Sequence, residues 1–397
     1  MAKKEKQACD VLISGGGIPG LTLSALLAGL GLTVIVVDPN PPAPVKDLKP
    51  DGRTAALMAG SVNILKAANL WGKSETYGAP LETLRIIESA TARVDFAASD
   101  IGQPYFGINM PNAILRSLIS GDVTTGEIHA IAADDVGLTA TLDNGNVIRT
   151  RLLVGADGRD SKTRFLCNIG VWERDYGQRA ITCLIDHTKP HENISTEFHR
   201  PGGPFTIVPL PGNQSSIVWV EYNEDADTFL KLSRQNFEQA LQDRTEGLVG
   251  KIILATNPAS WPLKALRAKS LVAPRTALIA EAAHVLHPLG AQGLNLSLRD
   301  VAALAEEIAD AARNGLDIGS HNVLKAYEFR RKADVLTRLF GTDSLNRMVS
   351  NDLSLLKTLR GACLKTINAI KPLRDFAMNE GIVPGYDESR LARGEAL

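Results

Sequence analysis

The sequence predicts an α/β (α+β) protein: a discontinuous Rossmann-like domain, a second domain built on a β-sheet, and a helical C-terminal tail. Three observations lead to this prediction. A glycine-rich turn joins two apolar runs near residue 15, strand-like segments fill residues 181–222, and only helix-like patterns follow Ser320. The 397 residues and the apolar share of 44% suit a soluble globular protein of two domains with an appendage.

The first domain is organised around the turn at residues 15–20, whose sequence is Gly-Gly-Gly-Ile-Pro-Gly. An apolar run at 11–14 precedes it, and a longer one at 21–31 follows it. A further apolar run at 33–37 ends in Asp38. This order of strand, turn, helix, strand and acid matches the dinucleotide-binding fingerprint G-x-G-x-x-G.

Each glycine of that fingerprint has a physical role. Gly15 permits the tight turn, Gly17 lets the backbone approach a pyrophosphate, and Gly20 lets the helix pack closely on the strand. The start of the helix offers unpaired N–H groups and the positive end of the helix dipole to phosphates. Asp38 is placed to accept ribose hydroxyls, so the turn predicts a bound dinucleotide.

The next segments alternate between helix-like and strand-like patterns. The spacing of apolar residues predicts a helix over Thr54–Leu70 and extended structure over Leu84–Ala97. A short helix begins at Pro111-Asn112. A hairpin is predicted over Gly137–Thr150, with Asn144-Gly145 as its type I′ turn.

The second half of the chain begins with strands and ends with helices. Residues 181–222 alternate as a large antiparallel sheet does, and Leu230–Leu241 is predicted as a helix lying over it. A long helix opens at Gly293 and closes at Asn314-Gly315, since glycine commonly follows a helix C-terminus.

Acidic residues stand at the ends of two further buried strands. Arg151–Ala156 leads into Asp157-Gly158, and Thr276–Ala280 leads into Glu281. Ligands of open α/β sheets bind at the carboxyl ends of the strands. Together with Asp38, these ends indicate one long ligand touched repeatedly, and FAD is long enough where a mononucleotide is not.

Bulk properties exclude several classes of protein. The net charge of −1 argues against nucleic acid as a partner. The four cysteines are scattered without a C-x-x-C pair, so neither a zinc site nor a disulfide framework is predicted and a reducing cytoplasm fits. Residues 11–37 are long enough to span a bilayer, but glycines and a proline interrupt them, and a βαβ unit explains the same pattern.

These motifs resemble those of the class A FAD-dependent aromatic monooxygenases, which share the p-hydroxybenzoate hydroxylase fold. The turn at 15–20 resembles their G-x-G-x-x-G motif. Asp157-Gly158, with Ser161 and Arg164, resembles their A-D-G-x-x-S-x-x-R motif. Residues 281–284 resemble the end of their G-D-A-A-H motif.

Within this group the chain is most similar to the ubiquinone-biosynthesis hydroxylases of the 2-polyprenyl-6-methoxyphenol hydroxylase type. The segments that carry this finer resemblance are 53–57, 111–118, 176–178, 218–219, 261–263, 284–300, Arg360 and 372–378. The chain departs from the family at four places. Ala280-Glu281 replaces Gly-Asp, residues 290–293 read Gly-Ala-Gln-Gly instead of A-G-Q-G, Ser297 replaces the usual glycine after N-L, and the segment between Arg116 and Glu127 is shorter.

The resemblance implies FAD as the bound cofactor and NAD(P)H as a transient co-substrate. The residues it implies for FAD binding are Gly15, Gly17, Ile18, Pro19, Gly20, Asp38, Arg53, Arg116, Asp157, Gly158, Glu281, Gly293, Leu294 and Asn295. The implied domains are an FAD-binding domain at 1–75, 105–175 and 268–330, a substrate-binding β-sheet domain at 76–104 and 176–267, and a C-terminal helical region at 331–397.

The activity implied by the resemblance is hydroxylation of the aromatic ring of a polyprenylated phenol in ubiquinone biosynthesis, with O2 activated as a flavin C4a-hydroperoxide. Two alternatives stay open. One is a soluble hydroxylase of other aromatic compounds on the same fold. The other is a non-catalytic FAD-fold protein that binds lipid tails or partners, which the departure at Ala280-Glu281 and the short segment after Arg116 allow.

Few side chains are predicted near the reacting ring. His287 is a candidate for proton handling, and the alternative is a structural, hydrogen-bonded histidine. Trp219, Tyr222 and Pro288 are candidates for the substrate pocket, although one face of an alternating strand is usually core. No metal ligands are predicted.

The tail carries an apolar stripe at helical spacing beside a basic face. The stripe consists of Leu345, Val349, Leu356, Leu359, Cys363, Ile367 and Ile370. Such a helix either lies in a membrane interface or docks on the body of the protein or on a partner subunit. The expected location is the cytoplasm, with peripheral contact at the inner membrane as one option. The expected partners include a second copy of the chain in a homo-oligomer, or other proteins in a biosynthetic complex.

Overall fold

The computed structural model of the protein describes residues 6–48, 51–72, 74–89, 92–119, 121–350 and 389–397, together with Arg374 and Met378. Strands and helices are numbered in chain order. Within the described residues the strands form three sheets.

The first sheet is an eight-stranded, mostly parallel sheet with the central order β19-β11-β1-β2-β8. Its strands are β1 (Lys6–Ser14), β2 (Val34–Asp38), β8 (Val123–Thr125), β9 (Ile128–Ala133), β10 (Leu138–Leu142), β11 (Val147–Gly155), β18 (Val272–Ala273) and β19 (Thr276–Leu278). Ser14 stands opposite both Gly155 and Val37, and Gly155 stands opposite Leu278. The carboxyl ends of four segments distant in sequence therefore meet at one edge of this sheet.

Helices cover this sheet and bury its apolar side chains. The helices of the protein, over the described residues, are α1 (Ile18–Gly29), α2 (Ala59–Ala67), α3 (Asn112–Leu118), α4 (Lys162–Leu166), α5 (Asn223–Leu230), α6 (Arg234–Arg244), α7 (Gln292–Arg313) and α8 (His321–Val349). Helices α1, α7 and α8 share one hydrophobic core with β1, β11 and β19. A helix that is apolar along one face is stabilised mainly by such burial.

The second sheet is a nine-stranded, mostly antiparallel sheet. Its strands are β5 (Thr83–Ser89), β6 (Ala92–Ala97), β12 (Val171–His187), β13 (Ile194–Arg200), β14 (Gly203–Leu210), β15 (Gln214–Tyr222), β16 (Ile252–Leu254), β17 (Ala259–Ala268) and β20 (His284–Val285). Helices α5 and α6 cover one face and bury Phe205, Trp219 and Phe237 there. The opposite face looks toward the first sheet.

A small sheet joins the two large ones. It consists of β3 (Thr54–Met58), β7 (Gly107–Pro111) and β4 (Ala79–Leu81), in that order. The hydroxyls of Thr54 and Ser216 lie 2.9 Å apart, and Asn109 Nδ2 donates to the carbonyl of Pro209 at 2.8 Å. These polar contacts hold the second sheet against the small sheet.

Residues 389–397 return to the first sheet and pack on its helices. Leu391 is fully buried, and its N–H donates to Glu306 of α7 at 3.1 Å. Asn63 of α2 donates to the carbonyl of Ala392 at 2.8 Å. This segment therefore ties α2 to α7 from the outside.

Several predicted elements are confirmed. The hairpin around Asn144-Gly145 is formed by β10 and β11, and the apolar strand at 151–156 is the end of β11, flanked by parallel neighbours. Helix α7 closes at Asn314, and Gly315 has a φ of 67°, as the C-terminal glycine pattern predicts. Extended structure over 84–97 and the short helix after Pro111 are also present.

Two predicted helices are wrong in their bounds. Thr54–Leu70 is not one helix, because Thr54–Met58 pairs with β7 as a strand and the helix begins only at Ala59. The segment that was predicted as one helix from Leu230 is divided, because α5 ends at Leu230 and Ser233 caps α6 by accepting from the N–H of Asn236. A capping serine favours a new helix start over continuation.

Two turns also differ from the predictions. Gly145 has a φ of 83° but Asn144 is not left-handed, so the hairpin turn is a type I turn followed by a left-handed glycine and not type I′. The last buried strand ends at Leu278 and not at Ala280, because Ala280 takes a left-handed φ of 56°.

The predicted apolar stripe of the tail falls largely outside the described residues. Of its members, Leu345 is 44% exposed and Val349 is buried, while those from Leu356 onward lie beyond the described range. Among the described residues, no helix combines the length and the apolar character that crossing a membrane demands.

Candidate cofactor and substrate site

The fingerprint turn is built by close backbone contacts. A Cβ on Gly15 would lie 2.2 Å from the carbonyl oxygen of Ala156, and the φ of Gly15 is 118°. A Cβ on Gly20 would lie 2.1 Å from the carbonyl oxygen of Gly15. Neither position has room for a side chain, so both glycines are needed to form the turn itself.

Gly17 differs from those two glycines because the protein leaves space around it. A Cβ there would have Pro19 Cδ as its nearest neighbour, at 3.8 Å. Gly17 is also the N-cap of α1, and no side chain caps that helix. Open space in front of uncapped N–H groups suits a pyrophosphate, which the N-terminus of a helix binds well.

Asp38 and Arg116 hold the turn from the side. Asp38 Oδ2 accepts from the N–H of Gly16 at 2.6 Å, and Asp38 Oδ1 accepts from the N–H of Asn40 at 2.7 Å. Arg116 donates to the carbonyls of Gly16 and Asn40, at 3.0 and 2.6 Å, and lies 3.6 Å from Asp38. These residues thus fix the loop beside which a ribose would bind.

The second strand end is capped by its own aspartate. Asp157 accepts from the hydroxyl of Ser161 and, at 2.8 Å, from the N–H of Thr163, so it organises the start of α4. Arg164 donates to the carbonyls of Ala282 and Arg159, at 2.9 and 2.7 Å. Arg164 therefore joins the end of β11 to the turn after β19.

Gly158 is half-buried and Glu281 is exposed at this junction. Gly158 has a φ of 82° and open space around it. Glu281 is half-exposed and lies 3.5 Å from the Nε of Arg159. A longer acid than aspartate is accommodated here because its carboxylate extends outward to a surface arginine.

The start of α7 is the second uncapped helix N-terminus at this edge. Its N-cap, Ala291, has a φ of 52° and no side chain caps the helix. A Cβ on Gly293 would meet nothing within 4 Å, and Leu294 is half-buried beside it. The first turn of α7 therefore offers free N–H groups and the positive end of a 22-residue helix dipole.

Asn295 fixes that first turn by four hydrogen bonds. Its Oδ1 accepts from the N–H of Met58 at 2.9 Å and from the hydroxyl of Ser61 at 2.7 Å. Its Nδ2 donates to the carbonyls of Ala56 and Ala291, both at 2.8 Å. The Asn295 side chain is thus fully occupied by the protein, and only its backbone is available to a flavin.

A buried charged network behind α7 escaped the sequence analysis. Asp300 accepts from the N–H of Ala280 at 2.9 Å and from Arg331 Nε at 2.7 Å, and its Oδ2 lies 2.6 Å from His284 Nε2. Burial raises the pKa of the Asp300 carboxyl, but His284 and Arg331 lower it by more, to about 2. The carboxylate therefore stays charged, and it holds the left-handed Ala280 in place.

His287 is fully buried beside this network. Its ring lies edge-on to Tyr176 at 5.1 Å, and its Nδ1 accepts a long hydrogen bond from the N–H of Leu289 at 3.4 Å. Burial lowers the pKa of His287 to about 4, so the ring is neutral at pH 7. Within the described part of the chain, its Nε2 has no hydrogen-bond partner.

The structure corrects the predicted role of Trp219. Its side chain is fully buried under α5 and α6, where it packs on Phe229 and donates to Glu221 at 2.9 Å. Successive residues of a strand point to opposite faces, so Trp219 lies on the helix side of the sheet and not on the side of a pocket.

Tyr222 lies on the opposite face from Trp219, as does Ser216. It is 45% exposed, and its hydroxyl donates to the carbonyl of Ser350 at 3.2 Å. Pro288 is half-buried and accepts from the N–H of Ala291 at 3.0 Å, next to the start of α7. Both residues stay candidates for the pocket.

Arg53 connects the two halves of the site. Its guanidinium lies 4.3 Å from the ring centroid of Trp261 on β17, and it also pairs with Asp51. Trp261 Nε1 donates to Thr182 Oγ1 at 3.2 Å, which fixes the ring under the guanidinium. Arg53 and Trp261 belong to two separate segments of the family resemblance, and nothing in the sequence indicates that their side chains stack.

The geometry as a whole fits FAD. Two uncapped helix starts face the same sheet edge, and the two glycines in front of them, Gly17 and Gly293, have open space where a Cβ would stand. The opposed face of the second sheet, with Tyr222 and Trp261, closes the other side.

Comparisons with known proteins agree with this description. The model of the FAD-binding domain family matches residues 8–337. The chain is 33% identical to the ubiquinone hydroxylase UbiL of Rhodospirillum rubrum, over 98% of this chain and 94% of that protein. It is 32% identical to the 3-demethoxyubiquinol 3-hydroxylase of Escherichia coli, over 89% of this chain and 93% of that protein.

Solved structures share the fold. PqsL of Pseudomonas aeruginosa, in complex with 2-aminobenzoylacetate, superposes with a TM-score of 0.76 over 91% of this chain and 100% of that one, at 22% identity. At that identity the likeness concerns the fold alone, and it confirms the predicted α/β class.

Proposed function

Because the chain belongs to the FAD-binding domain family of class A flavin monooxygenases, we propose that it hydroxylates the aromatic ring of a polyprenylated phenol in ubiquinone biosynthesis, with NAD(P)H and O2 as co-substrates. The observation that carries the proposal is the pair of uncapped helix N-termini, at Gly17 and Ala291, facing one sheet edge. The two relatives described above are named as a ubiquinone hydroxylase and a 3-demethoxyubiquinol 3-hydroxylase, and they match 98% and 89% of this chain.

The proposed roles follow from the positions of the residues. The start of α1 binds the pyrophosphate, and Asp38, held by Arg116, accepts the ribose hydroxyls. The backbone at Gly293–Asn295 faces the flavin, where the positive end of the α7 dipole stabilises negative charge. When bound, FAD supplies the redox chemistry that activates O2 with electrons from NAD(P)H.

We assign the positioning of the substrate and the exclusion of water to the second sheet. Residues 1–75, 105–175 and 268–330 form the proposed cofactor domain, and 76–104 with 176–267 form the proposed substrate domain. The face that carries Tyr222 and Trp261 positions the phenol and excludes water. His287, neutral and buried, holds a free Nε2 with which a phenol hydroxyl can form a hydrogen bond.

The test is reconstitution with defined substrates. Purified protein should bind FAD and oxidise NAD(P)H faster when a polyprenylated phenol is present, and mass spectrometry should show one added oxygen in the product. Flavin binding without substrate-stimulated oxidation by any phenol would support the non-catalytic alternative. Stimulation by short phenols only would support a soluble aromatic hydroxylase, because the prenyl tail would then contribute nothing to recognition.

A further inference from the structure

The outward face of α8 has an unusual composition for a protein surface. Phe329 is 84% exposed and Phe340 is 72% exposed, and Leu345 is 44% exposed on the same helix. Large apolar side chains grouped on one exposed face mark interaction sites more often than chance. The spacing Phe329, Ala333, Leu336, Phe340 places them in one stripe along three turns.

The charges on that face have one sign. The exposed residues of α8 are His321, Asn322, Lys325, Phe329, Lys332, Ala333, Thr337, Phe340, Gly341, Ser344, Leu345, Arg347 and Met348. They include three cations and no carboxylate. Two acids of the same helix lie mostly buried beside this face. Glu328 accepts from the N–H of Leu271 at 2.8 Å and pairs with Lys325 at 2.6 Å, and Asp343 lies 3.0 Å from Arg174 and 3.1 Å from Arg347.

The opposite face of α8 is fixed to the protein. Tyr327 donates to the carbonyl of Leu278 at 2.8 Å, Arg331 bonds Asp300 at 2.7 Å, and Asn346 donates to Gln178 at 3.0 Å. The helix is therefore held along its whole length by buried contacts, and the exposed phenylalanines contribute nothing to them. Strand β12 continues the surface, since Trp172 is 45% exposed and lies two residues before Arg174 on the same strand face.

We propose that the outward face of α8, with Phe329, Phe340 and the exposed lysines Lys325 and Lys332, docks on the surface of an anionic lipid bilayer. Aromatic side chains insert at the headgroup level, and flanking lysines are attracted to anionic lipids. A second copy of the chain fits less well, because a two-fold interface would bring these cations against their own counterparts. The inference does not depend on the substrate proposed above.

The position of α8 explains what such docking would achieve. The helix ends at the second sheet, where Ser350 contacts Tyr222 and Gln178 on the pocket side. A bilayer against the outward face would therefore lie next to the proposed pocket, and a substrate with a lipid tail could enter it without crossing water.

The test is flotation of the full-length, FAD-loaded protein with vesicles of phosphatidylethanolamine and phosphatidylglycerol, or of phosphatidylcholine alone. The wild type should float with the anionic vesicles and lose binding as salt rises. The variant F329S/F340S should bind on the order of tenfold more weakly, because two aromatic rings no longer enter the interface. K325Q/K332Q should weaken binding to anionic vesicles only.

A matched control removes exposed apolar residues elsewhere. Val136 is 74% exposed and Ile253 is 51% exposed, away from α8, so V136S/I253S should float like the wild type. Unchanged thermal unfolding and flavin absorbance show that each variant is folded. Equal flotation of F329S/F340S and the wild type overturns the proposal, as does a wild type that binds no anionic vesicle.

Two further outcomes separate docking on a bilayer from a dimer interface and from the hydroxylase assignment. A wild type that sediments as a dimer without lipid, and becomes a monomer in F329S/F340S, assigns the face to a second copy and overturns the proposal. Flotation does not involve turnover, so it remains readable if the hydroxylase assignment fails. Conversely, loss of flotation with unchanged oxidation of NAD(P)H on a short-tailed phenol leaves the hydroxylase assignment intact.

Discussion

The two helix starts proposed to bind one ligand, residues 15–20 at the start of α1 and residues 290–295 at the start of α7, are built differently. The first is shaped by backbone contacts that leave no room for a Cβ on Gly15 or Gly20. The second tolerates an alanine, Ala291, in a left-handed conformation, and long-range side-chain bonds from Asn295 hold it.

This difference shows which contacts fix the backbone geometry of each helix start. The α1 turn is local in its motif, since its glycines, its acid and its helix follow one another within 24 residues, from Gly15 to Asp38, and distant residues only press on it from outside, as Ala156 and Arg116 do. The α7 turn depends on partners far away in sequence, such as Met58 and Arg331. We therefore expect substitutions at the first end to act through steric clash, and substitutions at the second to act through lost buried partners.

The largest effect is expected from Asp300→Ala, which removes the anchor of the α7 end. Arg331, His284 and the N–H of Ala280 would lose their shared acceptor in a buried site. Arg331 would keep only Asp334, at 2.8 Å, and removing one partner of a buried ion pair costs about 3–5 kcal/mol of unfolding free energy. Chemical denaturation measures this loss. Asp310→Ala, whose carboxylate is about half-exposed, is the control and should change stability by less than about 1 kcal/mol.

Gly15→Ala should be nearly as damaging at the α1 end. The new Cβ would meet the carbonyl of Ala156 at 2.2 Å, in a residue with a φ of 118°. We expect a loss of about 3 kcal/mol in stability. Gly17→Ala is the matched comparison: it should leave the stability of the FAD-free protein unchanged and weaken FAD binding about tenfold, measured by flavin fluorescence. Equal destabilisation by both substitutions would contradict the division of roles.

The third prediction is that the unfolding free energy falls in acid because His287, shortly before α7, is buried. Burial lowers the pKa of His287 from 6.5 to about 4, so the unfolded chain binds a proton more readily than the folded one. The stability is complete above pH 6.5 and falls as the pH drops toward 4, by about 2 kcal/mol at pH 5. His287→Asn should remove this part of the slope in denaturation experiments between pH 7 and 5. An unchanged slope would show that His287 is hydrated in solution.

The smallest effect is expected from replacing Ala280, the left-handed alanine whose N–H donates to Asp300. Ala280 has a φ of 56° where the family has glycine, so Ala280→Gly should raise the unfolding free energy by about 1 kcal/mol. Ala312→Gly, in the regular part of α7, should lower it by a similar amount. A destabilised Ala280→Gly protein would mean that the alanine Cβ packs favourably enough to outweigh the strain.

Local patterns in the sequence predicted the parts of the site that are local. The fingerprint, the end of β11 and the start of α7 each depend on a short run of residues, and each occurs within one residue of the expected position, whereas β19 ends two residues early, at Leu278. Thr54–Met58 was misassigned because its five apolar or small residues suit a helix as well as a strand, and only pairing with β7 decides between them.

Contacts between distant segments could not be predicted in the same way. Asp300 and Arg331 stand on separate helices, and nothing in their spacing indicates that they meet. The stacking of Arg53 on Trp261 depends on how two sheets face each other. For Trp219, alternation along β15 gave two faces, but the cover of α5 and α6 was needed to tell which one is core.

The return of residues 389–397 onto α2 has a consequence for synthesis of the chain. Asn63 and Ala392 are 329 residues apart, and Leu391 fills a buried position beside the early helix α2 and the later helix α7. During translation these helices emerge long before the segment that covers them, so an apolar surface stays exposed for much of elongation. Contacts of such long range also slow folding. We therefore expect ribosome-bound intermediates to need chaperone protection until residue 391 has emerged.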